Sequence, residues 1–339
     1  LSELLKIYGD RPIDCEFAVT KKEQTKTLWL LQVRPLILSG EPVSDREHSL
    51  RLKLAEDKIK IGMGEHPLLL GKKTYYGVMP DWNPAEIVGL RPRPLALSLY
   101  KELITDSIWA YQRHNYGYRN LRSFPLMQTF HGLPYVDVRV SFNSFIPADL
   151  NDDLGGRLVD YYLGMLGAQP KYHDKVEFKI VWSCFTFDLA AQLEGLSDSK
   201  FSKQDKELLK ASLLKITNSI ISPANGLWQQ DVRKLKTLRE RHKLILSANL
   251  SKSEKIYWLI EDAKRYGALP FAGLARAGFM AVQMLESLVT VGVLSRNDYE
   301  LFVASVSTVA KKFREDLQSM SKSRFLRVYG HLRPGTYDI

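Results

Sequence analysis

A chain of 339 residues, 45% hydrophobic and 25% charged with no low-complexity tract, has an ordinary globular composition and room for two domains or one large domain with an appendage. Its formal charge of +10 favours anionic partners such as phosphates, nucleotides or nucleic acid. The two cysteines, Cys15 and Cys184, are too few for a disulfide framework or a cysteine zinc site and suit a reducing, cytoplasmic setting. No run of about 18 apolar residues marks a membrane span, and no basic-then-apolar leader opens the chain. It begins on Leu1 inside the helix-like stretch "LSELLKIYG", which reads as the interior of a longer protein.

Residues 13–19, "IDCEFAV", and 28–36, "LWLLQVRPL", alternate as two strands around a polar connection, "TKKEQTK" (20–26). Ile13, Cys15, Phe17 and Val19 share one face, opposite Asp14, Glu16 and Ala18. In the second strand Trp29, Leu31 and Val33 share a face, opposite Leu28, Leu30, Gln32 and Arg34. A turn centred near Gln24 sets Glu16 across from Gln32 and Asp14 across from Arg34, on one face. A carboxylate facing an amide oxygen suits Mg²⁺, and an adjacent arginine suits a phosphate. The same residues also describe an edge hairpin with a solvated face and one exposed ion pair, and geometry alone leaves both open.

"SGEPVSDREHS" (39–49) reads as a linker and 49–63 as a short helix or extended crossover. A larger domain begins near Thr74, strand-like from Tyr75 to Met79, with a turn over "PDWNPAEIVG" and a helix from Pro94 to about Tyr111. Residues 133–147 and 175–188 read as half-buried strands. After residue 203 the period is helical, with helices expected over 203–221, 226–247, 252–266, 272–292 and 296–320 and with Ser251 and Ser295 as caps. "ALPFAGLARAGFMAVQMLESLVTVGVL" is apolar nearly all round and is expected at the centre of that domain. The fold class expected is α+β and predominantly helical, divided as 1–42, a linker over 43–73, and 74–339.

The motif "DCEFAV…LWLLQVRPL" resembles the end of the ATP-grasp nucleotide-binding domain in the phosphoenolpyruvate synthase and pyruvate phosphate dikinase family. The resemblance implies that Glu16 and Gln32 hold nucleotide-bound Mg²⁺ and that Glu16, Gln32 and Arg34 together contact ATP. Cys15, where an aliphatic residue is usual, and the longer hairpin loop depart from the pattern. The terminal "FLRVYGHLRPGTYDI" (325–339) is similar to a motif of the same family and of the rifampin phosphotransferases, with Leu332 standing where arginine is usual and Arg333 one place later. The activity that the resemblance implies is phosphoryl transfer from ATP through a carrier histidine to pyruvate or another small acceptor, the helical domain receiving the acceptor. The carrier's T-x-x-S-H type signature and the Gly-rich loop over the phosphates are not found in this chain, so this segment alone is expected to be inactive.

Two stretches are candidates for acceptor binding: "DWNPAEIVGLRPRP", with Asp81, Asn83, Glu86, Arg91 and Arg93, and "WAYQRHNYGYRNLRSF", with Tyr111, Arg113, Tyr116, Tyr118, Arg119 and Arg122. Trp82 and Ile87 of the first equally suit stapling the loop to the core, and the second equally suits a packed junction. His331 reads either as a hydrogen-bonding residue beside Gly330 or as a contact for an acceptor or for the phosphohistidine domain. His114, His131 and His173 lack metal-ligand spacing. Two other classes stay open. One is a non-catalytic scaffold keeping a remnant hairpin, against which the intact Glu16, Gln32, Arg34 set argues. The other is a nucleic-acid-binding helical protein, which predicts a steep salt dependence and lacks a recognition motif.

Overall fold

A computed structural model describes residues 2–9, 13–22, 25–36, 44–196, 200–330 and 332. Helix accounts for 62% and strand for 11% of the described residues, which contain two small sheets, so the protein is α+β and predominantly helical as expected. The chain divides into two compact units, Leu1–Glu56 and Asp57–Ile339.

The first unit holds α1 (Ser2–Tyr8), the hairpin β1 (Ile13–Lys22) and β2 (Thr25–Pro35), and the start of α2 (Asp45–Met63). Strand pairing continues to Lys22 and Thr25, so the connection is only two residues long, not the longer loop expected from the sequence. Such a turn is centred half a residue too early to set Glu16 against Gln32. A β-bulge restores that register: Phe17 pairs with Leu30 but Glu16 pairs with Gln32, leaving Leu31 as the extra residue. Helix α2 runs through much of the stretch expected as a linker.

The second unit opens with β3 (Tyr76–Gly77), α3 (Pro84–Ile87), α4 (Pro94–Tyr100) and α5 (Ile108–Asn115). A π-helical turn, Lys101–Thr105, interrupts the single helix expected from Pro94. Strands β4 (Met127–Phe130) and β5 (Leu133–Asp137) join through His131 and Gly132, whose φ values of 51° and 78° are the left-handed pair that a tight hairpin turn requires. The sheet order is β3-β5-β4.

Strand is not continued to residue 147 as the alternation suggested. The Asp137 carboxylate accepts from the Val140 amide and starts α6 (Val138–Asn143), every residue of which is buried. Nor is 175–188 a strand: α8 (Val176–Lys179) is followed by irregular chain. Its backbone groups find side-chain partners instead of a sheet. The Ser183 carbonyl accepts from the Tyr118 hydroxyl, and the Phe185 and Phe187 amides donate to the hydroxyls of Thr217 and Ser287.

The main core forms around α7 (Asp152–Ala168), capped by Asn151, whose Leu154, Leu158, Tyr162 and Leu166 recur at helical spacing and are buried. After α9 (Leu189–Glu194) come α10 (Lys203–Ile221), α11 (Leu227–Ser247) and α12 (Lys252–Asp262), with bounds close to those expected. Ser251 and Ser295 both form capping boxes, with Glu254 and Asp298. A π-turn, Ala263–Ala268, carries α12 straight into α13 (Leu269–Thr290), where two separate helices were expected. Pro270 at the junction has no N–H to give, and the wider turn before it lets the helix pass. The run 252–290 is long and apolar enough to cross a membrane by length and composition, a test that core helices also pass. In this fold α13 packs against α5 and α11 and buries Arg276. The expected helix 296–320 is broken into α14 (Arg296–Ser305) and α15 (Val309–Ser319), and α16 (Lys322–Tyr329) comes after them.

Burial pushes the Cys184 thiol up to about 12, whereas Cys15 is only half-buried on the hairpin. A thiol-disulfide reagent at pH 8 is therefore expected to titrate one cysteine in the native chain and the second only in denaturant. Two fast native thiols would show that the core around Cys184 opens.

Candidate functional site

On the hairpin, directly paired residues share a face, and the bulge decides which. Asp14, Glu16, Ala18 and Thr20 stand with Arg34, Gln32, Trp29 and Thr27. Trp29 was expected on the opposite face, with Leu31 and Val33; the extra residue at Leu31 turns it over. Its indole N–H donates to the Thr20 hydroxyl at 2.9 Å. The Arg34 guanidinium holds the Asp14 carboxylate at 2.8 Å, with both side chains well exposed. Glu16 and Gln32 face each other, also exposed, offering two oxygen donors to a hard cation that keeps most of its own waters. The other face carries Phe17, Val19, Leu28 and Leu30, all substantially exposed.

The larger unit contains a cavity of about 330 Å³ between the 81–87 loop, α5, α8 and α13. Four charged side chains make its floor. Arg113 from α5 donates to Asp81 at 2.6 Å and to Ser144, and Asp81 also accepts from Ser141 at 2.7 Å. Arg276 from α13 forks onto both oxygens of Glu177, one of them at 2.9 Å. Burial opposes the charge on Arg276, but the Glu177 carboxylate outweighs it and holds the guanidinium more firmly protonated. Both guanidinium groups lie over the Phe145 ring, at 4.2 and 4.9 Å from its centroid.

Trp82, Ile87, Phe271, Ala272, Ala275 and Phe279 form the apolar wall, with the Trp82 and Phe271 rings 6.1 Å apart. The loop is pinned where the Trp82 carbonyl accepts from the Tyr100 hydroxyl at 2.7 Å. It is also strained: Asp81 and Asn83 hold φ values of 58° and 40°. Burial raises the Tyr100 phenol far above its ordinary value, reinforced by Asp81, so the pin stays a neutral donor. Gln112 is 3% exposed, and its amide nitrogen has no hydrogen-bond partner among the described residues. It also lines a second, smaller cavity of about 240 Å³ beside Tyr116 and Asp231.

Of the residues singled out in the sequence, Asp81, Asn83, Glu86 and Arg113 meet at this cavity, bringing the two candidate stretches together. Arg91 and Arg93 are exposed and do not line it. Arg119 pairs with Asp152 at 2.6 Å, also away from the cavity lining. His331 and Arg333 lie outside the described residues. Seven lining residues were not singled out, three of them polar or charged: Gln112, Glu177 and Arg276. Arg276 had a signal, being the lone cation in a stretch apolar nearly all round, where a buried charge demands a partner. Among the described residues no group of three His, Cys, Asp or Glu side chains is placed to hold a metal.

Comparison with protein-family models, with curated proteins and with solved structures found no match to this chain.

Proposed function

We propose that this chain is part of an ATP-dependent phosphotransferase of the phosphoenolpyruvate synthase type, in which the hairpin contributes to the Mg²⁺–ATP site and the larger unit receives the acceptor. The observation supporting this reading is the register: Glu16 opposite Gln32 and Asp14 opposite Arg34, on one face of a two-stranded ladder. Glu16 and Gln32 would hold Mg²⁺, which supplies charge neutralisation on the transferring phosphates. Arg34 would contact phosphate. Its present partner is no obstacle, because an ion pair this exposed contributes at most about 1 kcal/mol and a phosphate can replace the carboxylate. Phosphoryl passes from ATP to a carrier histidine on another domain and then to the acceptor.

The test uses the full chain that carries this segment, given ATP labelled at the β or γ phosphate. AMP, phosphate and an acid-labile phosphohistidine are the expected products. Glu16→Ala with Gln32→Ala is expected to lower phosphohistidine formation by at least about 100-fold, since electrostatic groups at a transferring phosphate are worth that much individually. Unchanged labelling in the double variant would sink the assignment. A second reading is a non-catalytic module keeping a remnant hairpin, in which Arg34 serves only its exposed pair with Asp14. The same assay separates the two, because that module turns over no nucleotide.

A further inference from the structure

We infer that the cavity between the 81–87 loop and α13 binds a flat, uncharged molecule with an apolar body. Three observations converge on this chemistry. The first is that the polar groups of the floor are already engaged with one another. Arg113 donates to Asp81 and Ser144, Asp81 also accepts from Ser141, and Arg276 forks onto Glu177, while the Gln112 amide nitrogen and the Arg276 Nε, without partners among the described residues, have no accessible surface for a ligand to reach. A ligand there gains little from polar groups of its own.

The second is the wall. Phe271 is 60% exposed and Phe279 39%, facing a cavity that Trp82 closes from the loop side. Large aromatic side chains left open around a concavity of this size, at the lower end of the roughly 300–1,000 Å³ typical of small-molecule sites, suit a planar apolar body. The third is the charge balance. Arg113 is matched by Asp81 and Arg276 by Glu177, so the buried floor is neutral, while Glu86 adds a carboxylate at the rim. An anion such as pyruvate would have to displace a buried carboxylate or enter without a counter-charge, and either is strongly unfavourable in a desolvated site. The basic character of the chain as a whole is therefore not carried into this cavity.

Whether the bound molecule is a phosphoryl acceptor rests on the phosphotransferase reading; its binding does not. The experiment is calorimetric titration of the full chain with 2-naphthol, and with 2-naphthoate and pyruvate as anionic comparators. 2-Naphthol is expected to bind at one site, at least about tenfold more tightly than 2-naphthoate. Ala275→Trp should fill the cavity and abolish binding. Phe271→Ala, at an exposed position less able to disturb folding, should weaken it, with the melting temperature of each variant checked against the parent.

No saturable binding of 2-naphthol would overturn the inference. So would equal or tighter binding of either anion, or binding indifferent to both Ala275→Trp and Phe271→Ala. Saturable, Ala275-dependent binding in a chain that makes no phosphohistidine would keep the cavity assignment and remove only the phosphotransferase one.

Discussion

Replacing Glu177 by alanine is expected to destabilise the larger unit by about 3–5 kcal/mol, among the largest effects available to a single substitution in this chain. The Arg276 side chain is 4% exposed and that of Glu177 9%, so their charges compensate one another with almost no help from water. Arg113 adds to the dependence, its Nη2 standing 3.8 Å from the Glu177 carboxylate. With the carboxylate gone, two guanidinium groups share the Phe145 ring and only Asp81 remains beside Arg113. Glu177→Gln should lose less, because the amide oxygen still accepts one of the two bonds from Arg276. The double replacement Glu177→Leu, Arg276→Met should recover most of the loss, since no buried charge is then left unmatched. Urea unfolding of the three variants checks this order. If the double variant falls as far as the single one, packing around α8 and not charge is what the pair supplies.

Glu177 and Arg276 were not legible as a pair in the sequence, and the reason is physical. Glu177 sits in "KVEFKIVWSCFTFD", whose apolar content reads as a strand because apolar and polar residues alternate. The segment buries Val176, Ile180, Val181 and Cys184 from a short helix and irregular chain instead, and its backbone is satisfied by Tyr118, Thr217 and Ser287 from elsewhere. Those partners are 32 to 100 residues away in sequence, beyond any local pattern. The helices after residue 203 were legible because their signals are local: apolar spacing, and serine caps followed three residues later by an acid. Pro270 marks a boundary only in part, since a π-turn absorbs it.

In the hairpin, the polar pairs match those expected because a bulge offsets the earlier turn, and the face taken by Trp29 was not legible. One bulged residue reverses every side chain beyond it, and no composition signal marks Leu31 as that residue. For the cavity, the sequence offered a polar loop and a stretch rich in aromatics and arginine without showing that they meet. Their meeting is a tertiary event, carried by Arg113 reaching Asp81 across 32 residues and by Tyr100 holding the Trp82 carbonyl.

Asp81 is where conformation and charge can be separated by substitution. Asp81→Ala is expected to cost about 4–6 kcal/mol: roughly 3–5 from leaving Arg113 short of its closest carboxylate, plus roughly 1 from placing alanine at a φ of 58°. Asp81→Gly removes the same carboxylate and the same acceptor for Ser141, but glycine tolerates the left-handed backbone. It should therefore be more stable than the alanine variant by about 1 kcal/mol, a direct reading of the strain in the loop. Asp81→Asn should be the mildest, because asparagine also accepts that backbone and retains an oxygen for Ser141 or Arg113. Urea midpoints give the order Asn, Gly, Ala. Alanine and glycine variants of equal stability would mean that the left-handed turn stores nothing. The same series should grade 2-naphthol binding, since Trp82 is the next residue after Asp81 and its ring closes the cavity. The glycine variant, freest in that loop, should then bind more weakly than the asparagine variant by more than its lost stability at the floor alone would predict.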